Sequence, residues 1–386
     1  MGYGSYSVSK SSKRYCVIKE PQFDVIVIGG GIAGVSAGAS LAASQKVLVI
    51  EAESQPGYHA SGRSAAYFAP AYGNAAVRLM TADSQDFYQS PSVEFAQDLL
   101  KPRGSLFLAR QNELGLLEDM AVIQPELERW SADAIRAQVP IIHSDVVGGL
   151  FDPIGGDLDV HAILQGYLKQ LRLRGGTLQT HARVVNLDRA GEQWHVRCSD
   201  GLVATARIIV NAAGAWADEV GVLAGLAPLG LQPKRRTACL IEVPEGLNHT
   251  QWPMCVGIQE DFYFKAEGAH LLVSPADETL SPPCDAQPED LDIALAIDRF
   301  QGVSNLSVKR IQSRWAGLRT FAPDGNFVVG ADPRLVGYFW FAGQGGYGFQ
   351  SAPAMAALIC RLVLNQAVPN HQVAILRQLA PDRLMG

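Results

Sequence analysis

The stretch DVIVIGGGIAGVSAGASLAASQKVLVIEAES, residues 24–54, constrains the fold of this chain more than any other. Asp24 to Ile28 reads as a buried parallel strand, and Gly29, Gly31 and Gly34 then fall at G-x-G-x-x-G spacing ahead of a helix predicted over Ser36–Ala43. A second buried strand, Val47–Ile50, follows, and Glu51 closes it roughly 20 residues after the first glycine. The first glycine lets the chain turn, the second lets backbone approach a pyrophosphate, and the third lets helix pack closely on strand. Unpaired N–H groups at the helix N-terminus favour the same anion. A carboxylate at Glu51 can accept hydrogen bonds from both hydroxyls of an adenosine ribose, and it repels the extra phosphate of NADP. Strand, loop, helix, strand and terminal acid in register therefore predict a dinucleotide site, with Ile32, Ala33 and Ala52 beside it.

Composition narrows the class. Of 386 residues, 48% are apolar and 18% charged, which suits two domains or one interleaved α/β body rather than a disordered chain. The formal charge of -6 offers no electrostatic footprint for nucleic acid, so a small-molecule ligand is the default. Cys16, Cys198, Cys239, Cys255, Cys284 and Cys360 form no C-x-x-C pair, which argues against a zinc site or disulfide framework and for reduced, packed thiols. No metal site is expected. The uncharged run Val25–Gln45 contains three consecutive glycines, and a strand entering a glycine turn explains it better than a membrane span. Residues 1–21 lack the apolar core of a secretory signal and are expected to be a flexible tail. The chain is expected to be cytoplasmic, with peripheral membrane association and oligomeric state left open.

The glycine motif does not separate NAD from FAD; three later features favour FAD. A glycine- and serine-rich loop, PGYHASGRSAAYFAPAYG, follows Glu51 closely, so that Gly57, Gly62, Arg63, Ser64 and Ala65 can run along an extended cofactor. A helix is predicted from Val160 to about Arg174, with Asp157 and Asp159 at N-cap positions and Gly175-Gly176 as its stop. A strand near Thr177–His181, Val184 and a hairpin at Ser199-Asp200-Gly201 lead to a buried strand, Ile208–Asn211, which runs into Ala212, Ala213, Gly214 and Trp216. Far away, an aromatic strand, Tyr338–Phe341, precedes GQGGYGFQ, where Gly343, Gly345, Gly346, Tyr347, Gly348, Phe349 and Gln350 lead into a helix starting near Ser351. A cofactor touched by the beginning, middle and end of a chain must be long.

These segments carry a resemblance. The glycine loop with Glu51, together with SGRSAA, IVNAAGAWADEVG, WAGLRTFAPDG and GQGGYGFQSAPA, resembles the glycine oxidase and D-amino-acid oxidase superfamily of FAD enzymes over about residues 22–380. QPGYHASGRSAA, LGLQPKRR and AGQGGYG are most similar to its bacterial D-arginine dehydrogenase branch. The resemblance implies an α/β (α+β) fold, with a Rossmann-like FAD domain assembled from 22–75, 150–222 and 325–386, and a substrate domain with a large mixed sheet from 76–149 and 223–324. It also implies oxidation of an amino acid, a D-isomer in that branch, at Cα, with hydride passing to flavin and the imine hydrolysing to keto acid and ammonia. Electrons then go to oxygen, a quinone or a dye. The flavin is expected to be non-covalent, since the C-terminal glycine loop holds no cysteine and Cys360 is expected to be buried.

The same comparison picks out site residues. Arg319 sits among Trp315, Leu318 and Phe321, a poor place for a charge without a partner, and a guanidinium can hold a carboxylate through two parallel hydrogen bonds. The competing reading is a structural ion pair. Arg236 matches a second pocket arginine, with Lys234 and Arg235 expected to be solvated. Tyr263 alternates with Phe262 and Phe264 as a strand would, and its hydroxyl can reach the same carboxylate. Tyr72 corresponds to a tyrosine on a lid-like loop. Met254 and Val256 are expected as apolar walls, with Gly346 and Gln350 near the amine. Two positions depart from the D-arginine branch: Ser105 stands in place of a pocket carboxylate, and Tyr67 in place of a histidine. Without that carboxylate, an uncharged substrate side chain is expected. Oxidation of a secondary amine (sarcosine, proline or an opine), alone or as one subunit of a complex, and a non-catalytic flavin-binding or electron-transfer role are the alternatives to it.

Overall fold

A computed structural model describes residues 20–95 and 98–385, so all of the expected tail but Glu20 and Pro21, and Cys16 with it, lies outside the described residues. Val25 to Ile28 and Val47 to Ile50 are buried on both sides, the pattern of strands interior to a parallel sheet. Gln22–Ile28 pairs in parallel with Val47–Ile50 and with Val203–Asn211. Thr177–Gln179 and Tyr338–Ala342 extend the parallel run at the two ends, while Val328–Ala331 and the hairpin Val184–Ala190/Gln193–Cys198 add antiparallel strands. The helix Ile32–Leu41 lies on one face of this eight-stranded sheet, packed between the helices Val160–Leu173 and Ala352–Val363. Its residues are small because the approach is close: a Cβ on Gly38 would stand 2.6 Å from Val49 Cγ2.

The other large sheet has nine strands. Its spine is the antiparallel pair Gln232–Glu242 and Ile311–Phe321, and Met254–Gly257, Tyr263–Glu267 and Ser105–Arg110 lie further along it. Strand alternation sorts its side chains. Leu106, Cys255 and Phe264 pack on one face with the helix Asp290–Val303, while Phe107, Val256 and Tyr263 share the opposite face. A short three-stranded sheet, Tyr67–Phe68, Gly156–Leu158 and Leu100–Pro102, adjoins that second face.

Several local expectations change. The first helix spans Ile32–Leu41 rather than Ser36–Ala43, because Gly31 is already its N-cap and the turn is confined to three glycines. Asp159 alone caps the helix Val160–Leu173, accepting from Ala162 N at 2.8 Å. Asp157 belongs to the short sheet, where Arg103 and the buried Lys265 neutralise it. The strand at Thr177 stops at Gln179, and His181 turns out of line with a φ of 57°. Phe262 precedes the strand that Tyr263 begins. Among the five described cysteines, Cys198, Cys239 and Cys255 are buried, but Cys360 is half-buried and Cys284 exposed. No helix among the described residues is long and apolar enough to cross a membrane.

Candidate active site

A long cleft runs from the glycine loop to the face of the nine-stranded sheet. At one end the loop holds itself in shape. Gly29 has a φ of 115° and a Cβ there would stand 2.3 Å from the Ala212 carbonyl oxygen, while a Cβ on Gly34 would stand 1.8 Å from Gly29 O. Glu51 is buried and its carboxylate binds the loop to the strand end, accepting from Gly30 N through Oε2 and from Glu53 N through Oε1, both at 2.8 Å. A carboxylate has about four lone-pair positions, so capacity remains for ribose hydroxyls. Ser61 Oγ accepts from Ile32 N at 2.9 Å, which fixes the serine-rich loop over the helix N-terminus.

Of the residues assigned to the cofactor from sequence, Gly29, Gly31, Ile32, Ala33, Glu51, Ala52, Arg63, Ser64, Ala65, Val184, Ala213, Gly214, Trp216, Gly345, Gly346, Gly348 and Phe349 line this cleft. Gly34, Gly62, Gly343, Tyr347 and Gln350 do not: the glycines permit tight backbone contacts behind the wall, Tyr347 stacks at a tilt on Tyr72, ring centroids 5.4 Å apart, and Gln350 lines a second cavity instead. Arg63 lines the cleft, yet its Nη1 donates to the carbonyls of Ala286 and Ala316 and its Nη2 to Asp285. Sequence reasoning missed Gly30, His59, Ser61, Arg183, Cys284 and Gln344, which also line it. Gly30, His59, Ser61 and Gln344 stand inside motifs already quoted; Arg183 and Cys284 carry no local signal.

A second cavity opens from the far end of the cleft, and Ser64, Ala65, Tyr263, Arg319, Gly346 and Phe349 line both. Tyr67, Tyr72, Ser105, Met254, Val256 and Gln350 line the second cavity, so the substrate residues expected from sequence do converge. Arg319 stands at the junction with no hydrogen-bond or ion-pair partner among the described residues, which removes the structural ion pair as its explanation. Gly346 lies against it: a Cβ there would stand 2.6 Å from Arg319 Nη1. Arg236, by contrast, donates from Nε to Asp277 O at 2.7 Å and from Nη2 to Glu278 at 3.2 Å, with its guanidinium on the cleft. Lys234 and Arg235 are not simply solvated; they pair with Glu278 at 2.8 Å and with Asp292 at 3.0 Å.

The remaining side chains differ in how free they are. The Tyr67 hydroxyl donates to Gly104 O, and burial pushes its pKa far up. Ser105 is buried beside it in the wall of the second cavity. The Gln350 amide is committed elsewhere, accepting from Ala69 N at 3.3 Å and donating to Thr81 Oγ1 at 2.9 Å. Glu260, absent from the sequence reading, also lines the second cavity. It occupies the turn between Met254–Gly257 and Tyr263–Glu267 in a left-handed conformation, φ 57°, which costs a non-glycine residue about 1 kcal/mol. Glu260 is itself among the exposed residues of the turn, and it lies near Tyr72 in the wall of the second cavity. Burial raises the Glu260 pKa, against the lowering effects of Tyr72, Arg236 and Arg319. Burial and then the Glu260 charge raise that of Tyr72.

A glycine-walled cleft with a helix N-terminus at one end and a buried carboxylate beside it suits a dinucleotide cofactor. The family described as "DAO: FAD dependent oxidoreductase" matches residues 24–362, and the chain belongs to it. The chain is 24% identical over 416 residues to mouse FAD-dependent oxidoreductase domain-containing protein 1, covering 89% of this chain and 81% of that protein. It is 24% identical to glycine oxidase of Bacillus subtilis strain 168, covering 90% and 94%. The crystal structure of L-proline dehydrogenase from P. horikoshii superposes with a TM-score of 0.81 at 22% identity, over 94% and 98% of the two chains, and shares the fold. The cofactor of the family is FAD, and the cleft fits it: donors at the glycine loop suit its diphosphate and Glu51 its adenosine.

Proposed function

We propose that this enzyme oxidises the Cα–N bond of a free amino acid, a D-isomer by its likeness to the D-arginine branch, to an imine that hydrolyses to keto acid and ammonia. One observation carries the reading: the unpaired Arg319 guanidinium at the junction of the cofactor cleft and the second cavity. An unpaired cation in a partly buried site calls for an anionic ligand. Tyr263, in the wall of both cavities, adds a hydroxyl, and Arg236 a second positive charge within the cleft. Carboxylate binding there puts Cα between the two cavities, with the amine and side chain in the second. Bound FAD supplies the two-electron acceptor; the protein's part is to orient the substrate and exclude water. Oxygen, a quinone or a dye would reoxidise the flavin.

A secondary amine is the second reading, favoured by the likeness to L-proline dehydrogenase, since proline presents a carboxylate with a ring nitrogen. Anaerobic mixing of the FAD-loaded enzyme with D- and L-amino acids, proline and N-methylglycine tests both: bleaching of the oxidised flavin band is expected. An unchanged spectrum across the panel would sink the proposal.

A further inference from the structure

We propose that Glu260 is the proton acceptor for the substrate amine, a role that rests on the amino-acid reading above. An α-amino group is protonated near neutral pH, and an ammonium nitrogen has no lone pair with which to stabilise loss of hydride from Cα. Its proton must leave first. Among the described residues lining the second cavity there is no histidine or lysine, and Glu260 is the sole carboxylate. Tyr67, Tyr72 and Tyr263 are phenols, which as neutral groups are poor acceptors, and Ser64 and Ser105 are weaker still. In the transfer, one N–H bond of the ammonium breaks, its electron pair stays on nitrogen, and the proton forms an O–H bond on Glu260. The hydride pair lost from Cα goes to the FAD of the family.

The surroundings suit this exchange. Glu260 faces Tyr72 from the loop before the helix Ala75–Ala82, Arg236 from the strand Gln232–Glu242, Glu278 from the segment just before Thr279–Leu280, Arg319 from Ile311–Phe321, and Tyr347 from the C-terminal glycine loop. Two cations, Arg236 and Arg319, thus compensate its charge, and one anion, Glu278, opposes it. A substrate carboxylate on Arg319 removes part of that compensation and adds a like charge, so Glu260 gains proton affinity as the ammonium arrives. Burial already biases it that way. Because the turn that carries Glu260 is exposed, the proton has a short route to solvent for the next cycle.

Glu260→Gln, Glu260→Asp and wild type, all FAD-loaded, would be compared by anaerobic flavin reduction with a reactive amino acid from pH 6 to 10. At pH 7 reduction of Glu260→Gln is expected to be slower by about 100-fold or more. That gap should close toward pH 10, where free amine is abundant, and Glu260→Asp should fall between. A carboxylate without an amine, such as benzoate, titrated by its perturbation of the flavin spectrum, should bind Glu260→Gln at least as tightly as wild type. Wild-type reduction rates at pH 7 in Glu260→Gln, a deficit equal at every pH, or loss of benzoate binding would each overturn the assignment and leave the amino-acid reading standing. Failure of every amine to reduce the wild-type flavin would overturn both.

Discussion

At the scale of single residues, the clearest consequence of the geometry falls on Arg319. Replacing it with alanine removes the unpaired guanidinium and is expected to raise the dissociation constant of a carboxylate substrate by on the order of 100-fold, the loss of a partly desolvated ion pair. The flavin should stay bound, which its visible spectrum would show. Lysine should recover only part of the affinity, since an ammonium cannot offer the paired donors of a guanidinium. Glu51 acts at the other end. It accepts two backbone N–H groups at 2.8 Å, and glutamine would turn an amide N–H against one of them. Glu51→Gln is expected to weaken FAD binding about tenfold to 100-fold, measured by fluorescence titration of the apoprotein.

At the scale of elements, the glycine turn is fixed by backbone clearance. Gly29→Ala puts a methyl 2.3 Å from the Ala212 carbonyl at a φ of 115°. Either the strand Val203–Asn211 or the turn must shift, and loss of FAD binding with a lowered Tm is the expected result. The C-terminal turn Pro381–Leu384 is tied differently, through Arg383 Nε to Asp324 Oδ2 at 2.7 Å. The Arg383 hydrogen bond, aided by Asn326 and opposed by burial, lowers the Asp324 pKa to about 2. The carboxyl is thus more acidic folded than unfolded, and its stabilisation is complete above about pH 4 and lost as the pH falls toward 2. Asp324→Asn should therefore lower Tm at pH 7, with the difference shrinking over that window.

At the scale of the whole molecule, the cleft proposed for FAD lies where the eight-stranded and nine-stranded sheets come together, so cofactor and fold should be linked. Saturating FAD at 100 times its dissociation constant should stabilise the holoprotein by about 2.7 kcal/mol, seen as a rise in Tm over the apoprotein. The Arg63 contacts to Ala286, Ala316 and Asp285 join the serine-rich loop to the second sheet from across the cleft. Arg63→Ala should lower Tm in the apoprotein as well as in the holoprotein, whereas a role confined to the cofactor would change the holoprotein alone.

What was legible in the sequence was local. The parallel strands at Val25 and Val47, the cap at Asp159, and the Tyr263 strand follow from burial, alternation and turn chemistry, which short stretches encode. The glycine motif set the adenosine end, and the distant Ala213-Gly214 and Gly345–Gly348 segments, which do meet it in one cleft, pointed to a long cofactor. What the tertiary structure alone decided was which charges are spent. Arg236, Lys234 and Arg235 are adjacent in sequence and all have acidic or carbonyl partners, while Arg319, on the neighbouring strand, has none among the described residues. Asp157 reads as a helix cap until Lys265, from a strand far along the chain, reaches it at 2.9 Å. Glu260 stands in a turn with no motif of its own, and only the fold brings it beside Tyr72 in the wall of the second cavity. Pairing and desolvation depend on neighbours distant in the chain, so a side chain's chemistry was fixed only when the two sheets met.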